Sequence, residues 1–446
     1  MRSCQRSERA RRAYAGLALS VVACAAPPEA QSAPEKAPAP RMVTGQLLSR
    51  YRGRFTGGDS DHDLYETVDL TLADPEERWS GSLLARAAFD ADGRDGGDPR
   101  TFDVLDTYSR FAPQLFHVYL DVNTGPRARL RLGRQSLYQT PLTVVLDGLS
   151  AELLPRGERR LALGAFAGIG EHLYESSSDG DTVLGGFGSL RAWEGAELRA
   201  DWMHLADARL GIEHEDDLYG LALSQDVARA RTITRLEARF TSLEGNGRDL
   251  RLLASHVDAP GRWSLQGSVY QLLQAQRALA APLDPFSDTL FELFPYAQLG
   301  LSLSKDWEHL ALLSGTDLRR VSDPGDEGTH NREFERYFLT GTLPDALPVS
   351  VSLTGELWRA TDTDLETWGA AVQREFDGGW NVTLGSHFAL YEYDHLSGQE
   401  RDHVRSTYLD LRWRTDTARR WTLRCEFERN EVDDFQTLEL DYAWGF

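Results

Sequence analysis

Three groups of arginines stand where their spacing could do chemistry. Arg50, Arg52 and Arg54 alternate with Tyr51 and Gly53; Arg86 stands alone among small residues; Arg129, Arg131 and Arg134 belong to the run RARLRLGRQ at 127–135, interleaved with Ala128, Leu130 and Leu132. A row of guanidinium groups suits carboxylates and phosphates, because each presents a planar fork of donors. Such a row on an interior face would raise the local anion concentration and select by charge. It equally suits bracing by neighbouring acids. Asp69, Asp121, Glu152, Glu197, Asp201, Asp410, Glu439 and Asp441 share the polar register, and the chain as a whole carries a formal net charge of -21. Which use prevails depends on whether acids from adjacent segments meet these arginines.

Other chemistry is poorly represented. There is no Gly-x-Ser-x-Gly elbow, no His-Glu-x-x-His pair and no Gly-rich phosphate loop, so no catalytic residue is assigned and no enzyme activity is expected. His117 and His387 fall on the polar register and His204 on the apolar one, as wall residues rather than bases. The cysteines, Cys4, Cys24 and Cys425, imply neither a disulfide framework nor a zinc site, and no cofactor or metal is called for. The positive charge is thinly spread and outnumbered by carboxylates, which argues against nucleic acid as a partner.

From Met42 to the end the dominant period is two, the mark of strands with two unlike faces. Trp79, Gly81, Leu83, Ala85, Ala87 and Phe89 oppose Ser80, Ser82, Arg86 and Asp90; Trp380, Val382, Leu384 and Phe388 oppose Asn381, Thr383 and His387. The runs last roughly 10 to 13 residues, where strands of soluble proteins run nearer 5 or 6. About 22 such segments are present, with any even number from about 18 to 22 compatible with the pattern. Tight turns at 74–77, 123–126, 345–346 and 377–379 alternate with longer polar connections at 91–114, 169–181, 275–293, 320–332 and 393–402. No fixed repeat supports a propeller or solenoid. The expected fold is all-β: a single transmembrane antiparallel barrel over 42–446, closed so that lipid takes the apolar face. In that register Leu130 and Leu132 face lipid and the arginines face the lumen.

The termini agree. Residues 1–24 read as an export signal, with a basic stretch, an apolar stretch and small residues. Cys24 lies in Ala23-Cys24-Ala25, which suits ordinary cleavage, and in Val21-Val22-Ala23-Cys24, which resembles a lipobox with Cys24 lipidated. Residues 25–41 are a Pro/Ala-rich tether. The chain ends in FQTLELDYAWGF, with Tyr442, Trp444 and Phe446 on one face, resembling the closing strand by which outer-membrane barrels engage their assembly machinery. The bacterial outer membrane is the expected location, with bilayer and lipopolysaccharide as partners.

Residues 115–153, LFHVYLDVNTGPRARLRLGRQSLYQTPLTVVLDGLSAEL, resemble the part of alginate-export-type outer-membrane barrels in which a Tyr-apolar-Asp strand end (Tyr119, Leu120, Asp121) leads by a tight turn into Leu-Arg-Leu-Gly-Arg-Gln. Asp147-Gly148-Leu149 follows as in that family. Other porins share the Gly-Arg-Gln pattern. The resemblance implies a monomeric barrel, commonly of 18 strands, whose arginine-lined pore passes an anionic polysaccharide. Small anionic solutes, or such a polysaccharide, are then the expected cargo, with Arg50, Arg52, Arg54, Arg86, Arg129, Arg131 and Arg134 lining the pore. A structural or receptor barrel scaffolding an envelope complex is the alternative, and a barrel hydrolase a further one.

Four stretches read as acidic, solvated loops: GGDSDHD at 57–63, DADGRDGGD at 90–98, EHEDD at 213–217 and DPGDEG at 323–328. The second has alternating carboxylates that could hold Ca²⁺, although its glycine comes too early for an EF-hand loop. The segment 275–293 is unusually apolar for an external loop and reads as a constriction or a partner surface.

Overall fold

The computed structural model describes residues 43–446 apart from 58, 93–109, 126, 139–140, 142, 154–160, 172–180, 210–211, 230, 276–293, 328–331, 345–347, 361–363, 395–398 and 431–433. The export signal, Cys24 and the tether, the rest of DADGRDGGD beyond Asp92, and nearly all of 275–293 thus lie outside the described residues.

Alternation makes strands, and these strands close. In chain order they are β1 (Val43–Thr56), β2 (Asp59–Ala73), β3 (Trp79–Asp90), β4 (Phe111–Asn123), β5 (Ala128–Leu137), β6 (Val144–Leu153), β7 (Leu161–Gly170) and β8 (Thr182–Leu190). Then come β9 (Ala196–Arg209), β10 (Ile212–Arg229), β11 (Thr232–Leu243), β12 (Asn246–Asp258), β13 (Trp263–Leu272), β14 (Tyr296–Asp306) and β15 (Ala311–Val321). The last are β16 (Phe334–Leu343), β17 (Ser350–Ala360), β18 (Asp364–Phe376), β19 (Trp380–Asp394), β20 (Gln399–Arg414), β21 (Arg419–Arg429) and β22 (Asp434–Gly445). Each pairs antiparallel with its sequence neighbours, and β1 pairs with β22 from Gln46↔Gly445 to Phe55↔Gln436. The result is one closed 22-stranded barrel, which leaves no ladder edge unpaired.

Closure fixes a single parity around the ring. The cross-strand register carries the Arg50, Arg52 and Arg54 face through Asp61 and Asp63 of β2, Arg86 of β3 and Asp121 of β4 to Arg129 and Arg131 of β5. The opposite face is apolar and has nothing over it: Leu132, Leu221 and Leu353 are each 61% exposed. Connections at one rim include the long stretches 91–110, 171–181, 273–295 and 322–333, whereas 154–160 is the longest at the other. Eight of the 11 tryptophans crowd the short-connection rim, namely Trp79, Trp193, Trp263, Trp307, Trp380, Trp413, Trp421 and Trp444. Trp380 and Trp413 stack there with ring centroids 5.0 Å apart. Two of the acidic stretches are not loops: β2 begins at Asp59, and EHEDD at 213–217 lies within β10. Likewise β19 and β20 take up most of 393–402.

The deepest burial is inside the ring, towards the long connections. The twelve largest fully buried side chains, among them Asp63, Gln135, Leu146, Met203, Leu218, Leu272 and Ser406, all belong to the lumen register of that half. Across β6 to β10, Val144, Leu146, Phe166, Val183, Met203, Leu205 and Leu218 form one apolar cluster on the lumen side. Glycines flatten the wall in places: the rings of Phe187, Phe166, Phe338 and Tyr408 lie over Gly164, Gly185, Gly315 and Gly385 on the neighbouring strands. A Cβ at any of the four would meet the ring and push it into the lumen.

Short turns are locked locally. In the β2–β3 turn, Asp74 accepts hydrogen bonds from the Arg78 backbone at 3.1 Å and from Arg78 Nε at 2.7 Å. The Arg78 guanidinium holds the Asp74 carboxyl below its usual range. A depressed carboxylate contributes stability above its ordinary pKa and loses it as pH falls through the folded value. Asp74→Asn should therefore lower the denaturant midpoint at neutral pH and leave it unchanged in strong acid, as urea titrations at the two pH values would read. Leu132→Arg, on the exposed apolar face, should cost about 2 to 4 kcal/mol in vesicle-based unfolding, and no cost would contradict the parity.

Candidate functional site

The lumen wall between β22 and β6 gathers the arginines picked out by spacing, and the acids opposite them come from other strands. Arg50 donates from Nε and Nη2 to the two carboxylate oxygens of Asp441 on β22, at 2.7 and 3.1 Å. Arg52 donates to Asp63 and Arg54 to Asp61, both on β2. Arg131 grips Asp121 on β4 in the same forked way, at 2.7 and 2.8 Å, with its guanidinium carbon 3.9 Å from the centroid of Tyr119. Arg129 pairs with Glu152 on β6. The same device recurs around the ring, with Arg336 between Asp317 and Glu356, and Arg199 and Arg239 both on Asp201. The combs are therefore largely neutralised by their neighbours. Burial of Asp61 and Asp63, which the sequence pattern put in a solvated loop, is tolerable only because Arg54 and Arg52 face them.

Arg134 does not belong to this face. The ladder between β5 and β6 runs without a shift, so Arg129 and Arg131 share a parity that Arg134 breaks, and Arg134 stands on the outward side opposite Asp147. Its Nε and Nη2 meet Asp147 at 2.8 and 2.7 Å, and its Nη1 lies 2.7 Å from Glu171. Two carboxylates there offset the cost of an arginine on the apolar face. Gln135, by contrast, points inward and is fully buried, accepting from Ser150 at 2.7 Å. Counting parity through Gly133, rather than counting arginines, would have separated the two.

Arg86 differs from the rest of the set. Both its Nε and Nη2 donate to the side-chain oxygen of Gln114, an uncharged acceptor. Its guanidinium stands over the rings of Tyr65 and Phe116, at 5.5 and 5.3 Å. No carboxylate pairs with it among the described residues, so it carries the least compensated charge of the pore-lining set.

His117 accepts or donates a hydrogen bond with Ser82 Oγ at 2.9 Å across β3 and β4. His387 lies on the lumen register and His204, outward, sits 3.2 Å from Asp217. No group of three or more His, Cys, Asp or Glu able to hold a metal occurs among the described residues. Asp92, at the start of the DADGRDGGD stretch, has its carboxyl pushed up by burial and by Asp90. In DPGDEG, Asp323 accepts from the Gly325 amide at 2.9 Å, as a turn former does.

The C-terminal aromatics lie at the short-connection rim. Tyr442 and Trp444 face outward, and Phe446 exchanges backbone hydrogen bonds with Gly45, at 3.0 and 3.1 Å, while its ring covers that glycine. The apolar lumen cluster on β6 to β10 was missed in the sequence, although Val144, Leu146, Met203 and Leu205 all sit on the parity of charged neighbours.

Asp63 is fully buried against Arg52, whereas Arg129 and Glu152 are 39% and 29% exposed. Asp63→Asn, which leaves a buried arginine short of its partner, should cost about 3 to 5 kcal/mol. Arg129→Gln should cost no more than about 1 kcal/mol, and equal effects in urea unfolding would contradict the assignment.

No family model and no curated protein matches the chain. Solved structures with the same fold are numerous. The chain is similar to the P pilus usher (PapC) translocation pore, at 10% identity, 90% of this chain, 99% of that one and a TM-score of 0.53. It is also similar to the siderophore receptor PirA from Pseudomonas aeruginosa, at 10% identity, 92% and 81% coverage and a TM-score of 0.55. At these identities the likeness is one of fold: the large closed antiparallel barrel.

Proposed function

We propose that this chain is an outer-membrane channel of a Gram-negative bacterium that passes small solutes, with a preference for anions. The observation that carries the reading is the parity of the barrel: an uncovered apolar face outside, tryptophans massed at one rim, and a charged face inside. An apolar medium is the natural partner of the first and water of the last. The likeness to barrels named as a translocation pore and a siderophore receptor supports the same reading. Tyr442, Trp444 and Phe446 would then serve assembly into that membrane.

Anion preference rests on Arg86 rather than on the combs, because the comb arginines are matched by Asp441, Asp63, Asp61, Glu152 and Asp121. The outer edge of the guanidinium, beyond the donors that Gln114 takes up, is backed by two rings and suits the carboxylate of a small organic acid. A long anionic polymer is less well served, since the lumen wall is fully buried at many points towards the long connections. That burial also favours a second reading, a receptor or scaffold barrel closed at that end.

Single-channel recording separates these. Discrete steps are expected for the wild type, with anion selectivity. A unit charge attracts an anion and repels a cation by about 1 kcal/mol each at 4 Å in water, so Arg86→Gln should reduce the anion-to-cation permeability ratio by up to about thirtyfold. Removing the matched pairs whole, Arg129→Gln with Glu152→Gln and Arg131→Gln with Asp121→Asn, should change it little. A persistently non-conducting barrel would favour the receptor reading, and an unchanged ratio in Arg86→Gln would remove that residue from the selective set.

A further inference from the structure

The outer wall is not uniform. On β7 to β12, towards the short-connection rim, three small outward residues, Gly188, Ala200 and Ala238, sit among Leu190, Leu198, Leu221 and Phe240. They leave a trough of about 540 Å³ on the face that carries no protein. Its size falls in the range of roughly 300 to 1,000 Å³ typical of ligand sites. The rim that the trough approaches at Leu190 and Leu198 is charged. Arg191 in the β8–β9 turn, Arg229 at the end of β10 and Arg231 in the β10–β11 turn are all exposed at the adjoining rim. None forms an ion pair among the described residues, in a chain whose net charge is -21. Glu194 is the exposed acid sharing this edge, and Asp226 nearby is 3.8 Å from Arg235. Trp193 stands between, 53% exposed, with its Nε1 donating to Gln225.

We infer that this trough and its arginine edge form a binding site for one anionic phospholipid of the leaflet at the short-connection rim. The acyl chain lies over Gly188, Ala200 and Ala238, and the phosphate meets Arg191, Arg229 and Arg231. The arrangement follows from the two chemistries present: an apolar trough takes hydrocarbon, and unpaired guanidinium groups at its mouth take the phosphate that hydrocarbon brings with it. Trp193, amphipathic and half in water, marks the depth at which the headgroup begins. This inference rests on the membrane reading above, and concerns a lipid held by the wall rather than a solute passed through the lumen.

Native mass spectrometry of the full chain in mild detergent, after incubation with phosphatidylglycerol, provides the test. One lipid should be retained per chain, and phosphatidylcholine of the same acyl chains should be retained at least tenfold less. Ala200→Trp, which fills the trough, and Arg191→Gln with Arg229→Gln and Arg231→Gln, which leaves every strand intact, should each lower retention of phosphatidylglycerol by a similar factor. Equal retention of the two lipids, or undiminished retention by the arginine variant, would overturn the inference. Insertion into vesicles is scored on the same protein. Wild type that inserts yet holds no phosphatidylglycerol defeats this site alone, whereas failure to insert defeats the membrane reading itself.

Discussion

One constraint governs this molecule: a ring of strands admits only one parity. Because β1 pairs with β22 as well as with β2, every side chain is assigned to the inside or the outside by counting along the ladder, and no strand can slip by one residue without moving its whole apolar set to the wrong face. Leucines spaced two apart then make a continuous outer surface. Most of the charge between them is turned inward; of the outward exceptions, Arg134 is matched by Asp147 and Glu171, and Glu66 on β2 accepts from Ser49.

Confining so much charge to one face creates a second requirement. A guanidinium inside the wall needs a carboxylate within reach, and strand geometry supplies it sideways, from the directly opposed residue on the adjacent strand. Arg50 with Asp441 and Arg52 with Asp63 are such opposed or diagonal neighbours, drawn from the far end of the chain in one case and from the next hairpin in the other. The wall is thereby stiffened and its arginines are mostly matched, which leaves Arg86, whose opposite number is Gln114, as the exception. The lumen itself is uneven. Aromatic rings folded over glycines keep parts of the wall flat, whereas the Leu146 and Met203 cluster belongs to a sector with no free surface.

Much of this was legible in the sequence, and for a physical reason. Alternation is a local property, so the strand pattern, a number near 22, the side of the long connections and the outward placement of Leu130 and Leu132 could be read residue by residue. What alternation does not reveal is the partner across the ladder. The arginines of β1 looked uncompensated because their acids lie in stretches read separately: Asp61 and Asp63 in a supposed loop, Asp441 almost four hundred positions away. Arg134 was grouped with its neighbours by composition although its parity differs. The apolar lumen cluster escaped because apolar residues on a strand were attributed to lipid, and only the register places Val144 and Leu146 on the side of Ser150 and Glu152.

Parity can be measured directly on β5. Single cysteines placed in turn at 129, 130, 131, 132 and 134 of a chain with Cys4, Cys24 and Cys425 all replaced by Ser, spin-labelled and reconstituted in vesicles, report contact with oxygen dissolved in lipid or with a water-soluble relaxation agent. We expect lipid contact at 130, 132 and 134 and water contact at 129 and 131, so that the arginine run changes face between 131 and 134. Lipid contact at 129 and 131, or no alternation along the strand, would contradict the barrel register on which the whole account stands.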